Sequence, residues 1–202
     1  MAFVIFGDSF TFPDGNAATN RVHTYAKGFY ENGVNVHVIC FRNEYISDGD
    51  NVMNGIHYYH PFNQKQRTRN FILRRWLKFI KYFNTLKLIK RINENDTIIG
   101  INCWTQRLIP LIYIYVVSKC LRTNLFHERS EHPLRNYQDS FPGKIRGELK
   151  SYIGTLFTDG IFCISQYLID FYLHRGVRSG KLLLVPSTVD TERFKCIYSA
   201  PL

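Results

Sequence analysis

Apolar residues along this chain gather in short unbroken runs, separated by amphipathic stretches of helical period. The runs at 3–7, 34–41, 56–61, 97–103, 124–128, 160–165 and 181–186 are mostly continuous rather than alternating, as strands covered on both faces require. Between them, 17–32, 70–92, 108–121, 145–157 and 166–175 are expected to be helices. Gly33 and Gly176 follow two of these helices, where a left-handed residue commonly closes the last turn. Strand and helix in alternation predict a doubly wound parallel α/β sheet of about six to seven strands with right-handed crossovers. Residues 1–194 are expected to form one domain and 195–202 the start of a linker or tail, since 202 residues suffice for one α/β core and not for two.

The helix at 70–92 carries two conflicting patterns. At 100° per residue, Ile72, Trp76, Phe79, Ile80, Phe83 and Leu86 share one face, with Arg74, Lys78 and Lys81 opposite. Past Asn84-Thr85 the phase changes, and Leu88, Ile89 and Ile92 point where the basic residues had been. The expectation is a kink or break there, with Trp76 and Phe79 packed on the core.

Charge sharpens this picture. No acid occurs between Asp50 and Glu94, whereas ten bases do: Lys65, Arg67, Arg69, Arg74, Arg75, Lys78, Lys81, Lys87, Lys90 and Arg91. Removing these ten from the 26 Lys and Arg leaves 16, against 16 Asp and Glu, so the whole excess of +10 lies in this segment. An acidic partner is expected to face it. An anionic membrane surface is the expected one, met by Arg67, Arg69, Arg74, Arg75, Lys78 and Lys81. Nucleic acid is not expected, because the aromatics needed for base stacking share the apolar face.

Composition narrows the class further. A hydrophobic fraction of 45% and an aromatic fraction of 15% indicate a folded domain. The longest apolar run, 108–117, contains Pro110 and falls short of a membrane span. The opening residues 1–8 lack a basic region and reach Asp8 early, which suits a first strand rather than a signal peptide. Cys40, Cys103, Cys120, Cys163 and Cys196 are odd in number, widely spaced and without a CxxC pair, so reduced structural thiols are expected, and no metal. The expected location is the cytoplasm, peripheral on the inner face of the plasma membrane.

Three segments could carry chemistry. The loop at 7–18 holds Gly15, Asn16 and Ala17 just before a helix, where backbone N–H groups and the helix dipole can meet an anion. It equally suits an ordinary turn in which Asp14 or Asn16 caps the helix; neither the dinucleotide fingerprint nor a Walker loop is present. The segment Phe126-His127-Glu128-Arg129-Ser130-Glu131-His132-Pro133 ends a central strand, where open α/β sheets place ligands. Its carboxylates, imidazoles and guanidinium can bind sugar hydroxyls or move a proton, while Glu128-Arg129 could also be a plain surface ion pair. The two histidines are five apart rather than the four of H-E-x-x-H. The third segment, 160–194, is a βαβ unit with Ser165 as N-cap and a charged exit turn. No Ser/His/Asp triad or G-x-S-x-G elbow appears.

In this order the three segments resemble the amino-terminal domain of retaining glycosyltransferases of family 4. The resemblance rests on Arg21…Ala26-Lys27-Gly28…Gly33-Val34-Asn35-Val36-His37-Val38, on Glu128-Arg129-Ser130-Glu131-His132-Pro133, and on the spaced run from Ser165 through Lys181, Val185-Pro186, Val189-Asp190 and Arg193-Phe194. It covers nearly the whole chain. Many relatives carry Asn-Gly where this chain has Ser187-Thr188. The resemblance implies a Rossmann-like, acceptor-side half of a two-domain sugar transferase. It implies that Gly15, Asn16 and Ala17 approach the donor diphosphate, and that Arg21, Glu128, Arg129, Glu131 and His132 line the cleft. It further implies a nucleotide sugar as substrate, no cofactor or metal, a glycan or lipid-linked acceptor, and a carboxy-terminal nucleotide-sugar-binding domain outside these 202 residues. Retention in this family calls for no protein nucleophile, so no catalytic residue is assigned and the fragment alone is expected to be inactive. A stand-alone Rossmann-like binding module and a basic nucleic-acid binder are the alternatives.

Overall fold

The computed structural model describes residues 1–46, 51–132 and 141–187. The order is β1 (Ala2–Gly7), α1 (Ala17–Glu31), β2 (Asn35–Cys40), β3 (Asn51–Met53), β4 (Ile56–Tyr59), α2 (Phe71–Asn95), β5 (Ile98–Trp104), α3 (Leu108–Cys120), β6 (Asn124–Arg129), α4 (Phe141–Leu156), β7 (Gly160–Cys163), α5 (Gln166–Leu173) and β8 (Leu182–Leu184). They form one eight-stranded sheet in the order β3-β4-β2-β1-β5-β6-β7-β8. Every pair is parallel except β3 with β4. From β1 the chain winds one way to β2 and the other way from β5, so the topology switches between β1 and β5.

β1 is buried along its whole length because both faces are covered. Ala2, Val4 and Phe6 pack with Ile89, Ile92, Leu111 and Ile114 of α2 and α3. Phe3 and Ile5 pack on the other face with Val22 and Ala26 of α1. Gly33 and Gly176 have φ of +78° and +77°, as their places after α1 and α5 require. Cys40, Cys103 and Cys163 are buried free thiols and Cys120 is exposed; Cys196, like the expected tail at 195–202, lies outside the described residues.

Two expectations are corrected. Strand β3 is absent from the sequence reading. It pairs back on β4 through Asn54-Gly55, whose φ values of +50° and +79° are those of a two-residue hairpin turn. Helix α2 is continuous from Phe71 to Asn95, with no break at Asn84-Thr85. A straight helix presents one face to the core, and the second half sets it: Lys81, Thr85, Ile89 and Ile92 are buried. The stripe expected in the core therefore points outward, with Ile72 77%, Trp76 62%, Phe79 68% and Phe83 57% exposed.

Lys81, expected on the open basic face, is the reverse side of this outcome. Its Nζ donates to the Phe41 carbonyl at 2.9 Å and Asn43 Oδ1 at 2.7 Å, and sits 3.9 Å from the Phe41 ring centre. Burial lowers its pKa to about 8.

Candidate functional site

The loop after β1 is pinned by its own side chains. Phe10 and Phe12 are fully buried, and Phe12 stacks on His23 of α1 at 4.1 Å. The Thr19 hydroxyl donates to the Thr11 carbonyl at 2.7 Å, and the His23 Nε2–H donates to the Pro13 carbonyl at 2.6 Å. Gly15 is caught between the Thr11 and Thr19 hydroxyls, where any Cβ would collide. Asn16 caps α1, its side-chain oxygen accepting from the Ala18 and Thr19 N–H groups. A helix N-terminus thus opens at the carboxyl edge of the sheet, beside the switch point.

At the same edge β6 delivers Glu128. The carboxylate is buried, and Arg21 Nη2 donates to its Oε1 at 2.6 Å. Tyr25 donates its hydroxyl to Oε2 at 3.3 Å and accepts from Arg21 Nη2 at 2.5 Å. The plain reading of Glu128-Arg129 as a surface ion pair does not hold, since the partner of Glu128 is Arg21. Burial pushes the Glu128 carboxyl up to about 7, the Arg21 charge pulling it part of the way back. Arg21 Nη2 also reaches the Val185 carbonyl at 3.3 Å, tying the chain beyond β8 to this pair. Among the described residues, Arg21 Nε and Nη1 are buried with no hydrogen-bond partner, as is Arg129 Nε.

Next along β6, the His127 Nε2–H donates to the Thr105 carbonyl at 2.8 Å. Full burial holds this imidazole well below its ordinary pKa, hence neutral. It stitches β6 to the exit of β5 and is not a proton carrier.

A cleft of about 460 Å³ joins these parts. Asn16, Ala17, Arg21, Glu128, Arg129 and Glu131 line it, with Ser9, Ala18, Trp104, Thr105, Gln106 and Ser130 between them. Of the residues singled out in sequence, Gly15 is exposed and outside the cleft lining, and His132 lies against Tyr167 and Phe171 at 5.7 and 4.7 Å. Trp104, Thr105 and Gln106 were missed; their signal was position alone, directly after a central strand. Arg67, Arg69, Arg75 and Lys78 are exposed, Arg74 half-buried, and all lie away from the cleft lining. Among the described residues, no group of three His, Cys, Asp or Glu is arranged to hold a metal ion.

No family model and no curated protein matches the chain. Solved structures do. The sucrose-phosphate synthase of Thermosynechococcus elongatus matches with a TM-score of 0.63 at 13% identity, over 95% of this chain and 49% of that one. The apo form of lipopolysaccharide outer core galactosyltransferase WaaB matches with a TM-score of 0.55 at 14% identity, over 94% and 46%. The UDP-GlcNAc 2-epimerase of Methanocaldococcus jannaschii matches with a TM-score of 0.52 at 13% identity, over 91% and 45%. The chain therefore has the Rossmann-like half-domain fold of GT-B glycosyltransferases, a fold the epimerase shares. It spans about half the length of the structures it matches.

Proposed function

We propose that this chain is the acceptor-side half of a retaining sugar transferase, completed by a second domain that grips the nucleotide sugar. The observation that carries the reading is the cleft itself: the N-terminus of α1, Arg21, Arg129 and Glu131 line one hollow at the switch point. That set suits a sugar diphosphate, with cationic donors for the phosphates and a carboxylate for hydroxyls. Asn16 and Ala17 face the diphosphate across a loop that Gly15 lets close. Arg129 and Glu131 stand toward the transferred sugar, with His132 at the rim. The bond from the anomeric carbon to the diphosphate breaks as an acceptor oxygen attacks from the same face, and its proton passes to a diphosphate oxygen. No protein nucleophile, metal or cofactor enters. The acceptor is a glycan or lipid-linked sugar, and the basic segment 65–91 faces the anionic inner leaflet of the plasma membrane.

Titration of the chain with a panel of nucleotide sugars, followed by amide chemical shifts and a transfer assay, tests this. The expected result is weak binding, shifts confined to residues around Asn16, Arg21 and Arg129, loss of binding in Arg129→Ala, and no transfer. Micromolar affinity or turnover by residues 1–202 alone overturns the half-site reading. Shifts that leave the cleft untouched overturn the site.

A further inference from the structure

The first half of helix α2 turns four large apolar side chains to water. Ile72, Trp76, Phe79 and Phe83 fall on one line at three- and four-residue spacing, with Phe71 and Leu73 also exposed beside them. Arg75, Lys78, Lys87 and Lys90 are exposed around the line, and Lys65, Arg67 and Arg69 precede the helix. A contiguous apolar surface rimmed by charge marks an interaction site.

Charge selects among occupants. With ten bases and no acid between Asp50 and Glu94, a second copy laid face to face would set like charges against each other. The stripe from Ile72 to Phe83 runs about 16 Å at 1.5 Å per residue, too short to span a bilayer and suited to lying along one. Trp and Phe between Lys and Arg are the composition of a helix seated at the level of lipid headgroups. The topology adds position. α2 leaves the carboxyl end of β4 and returns to the start of β5, so its first half lies at the edge where the cleft opens. Lys81 confirms this by reaching the carbonyl just beyond β2.

We infer that the first half of α2 inserts Ile72, Trp76, Phe79 and Phe83 into the interface of an anionic bilayer, holding the cleft edge beside the membrane. The inference rests on the reading of the basic segment as membrane-facing and adds to it a penetrating, salt-resistant contact.

Flotation of the full chain with vesicles of phosphatidylglycerol or phosphatidylcholine, with and without lipids brominated on their chains, tests it. Binding is expected for the anionic vesicles only, weakened by salt yet retained in part at high salt. Brominated chains are expected to quench fluorescence in the wild type and not in Trp76→Phe, since Trp104, the other tryptophan, is buried. Phe79→Ser and Phe83→Ser keep the net charge and are expected to weaken binding on the order of tenfold each, a ratio that corresponds to about 1.4 kcal/mol. Because both side chains are exposed, their circular dichroism and melting should match the wild type. Anionic binding without quenching, fully reversed by salt and unchanged in the serine variants, overturns insertion and leaves the electrostatic reading standing. Absence of vesicle binding overturns both. Displacement of vesicles by an RNA oligonucleotide, with the Phe79→Ser variant losing RNA instead, assigns the face to nucleic acid and overturns the inference. A dimer abolished by Phe83→Ser does so in favour of self-association.

Discussion

Arg21 and Glu128 show what single residues contribute here. They stand 107 positions apart in sequence and 2.6 Å apart in space. Removing one member of a buried pair leaves the other charge uncompensated, which costs about 3–5 kcal/mol. Arg21→Ala should therefore lower the urea midpoint sharply, and the same change in a Glu128→Gln background should cost much less. The carboxyl also sets a pH dependence. Its folded-state value of about 7 lies above the ordinary 4.5. Between the two, the folded chain holds a proton that the unfolded chain has released, so this group's contribution falls as pH rises through the window. Melting curves from pH 4.5 to 8 should show the wild type losing ground to Glu128→Gln; parallel curves would refute the raised value. The sequence exposed Glu128 as a candidate because it ends a central strand. The resemblance put Arg21 in the same cleft, but the contact between the two is fixed only by the fold that brings α1 over β6.

At the scale of elements, helices were legible from their period and parallel strands from their unbroken apolar runs. α2 was misread where two periods competed. Its first half has the stronger stripe, Trp76, Phe79 and Phe83, and its second half the one that wins, Ile89 and Ile92. The second half leads directly into β5 through the turn at Asp96, so sheet geometry fixes its phase and the rest follows. Ile89→Ala should cost about 2–5 kcal/mol in urea unfolding. By contrast Phe79→Ser and Phe83→Ser should stay within about 0.5 kcal/mol of the wild type, as exposed positions do. Equal losses would return the stripe to the core. β3 is a different failure: Asn54-Gly55 is a strong hairpin signal, but three residues on its near side are too few to show alternation. Gly55 has φ of +79° and carries the Tyr30 ring against it. Gly55→Ala should destabilise by at least about 1 kcal/mol, through strain and the lost ring contact.

At the scale of the whole molecule, the switch between β1 and β5 collects the exits of β1, β5 and β6 into one cleft, although no segment carries a recognisable motif alone. That is why spacing over nearly the full length carried the resemblance while each loop left alternatives open. The unbroken course of α2 also gives the molecule a gearing. Each residue of helix is 100° of rotation, so the aromatic line is slaved to the buried line of Lys81, Thr85, Ile89 and Ile92. One alanine inserted between Ile80 and Lys81 would leave the anchor in place and swing Ile72, Trp76 and Phe79 about 100° around the axis. Four inserted alanines would turn them only about 40° from their present azimuth. The first variant should lose the attitude in which the cleft edge meets a bilayer, and the second should largely keep it, with the same side chains and charges in both.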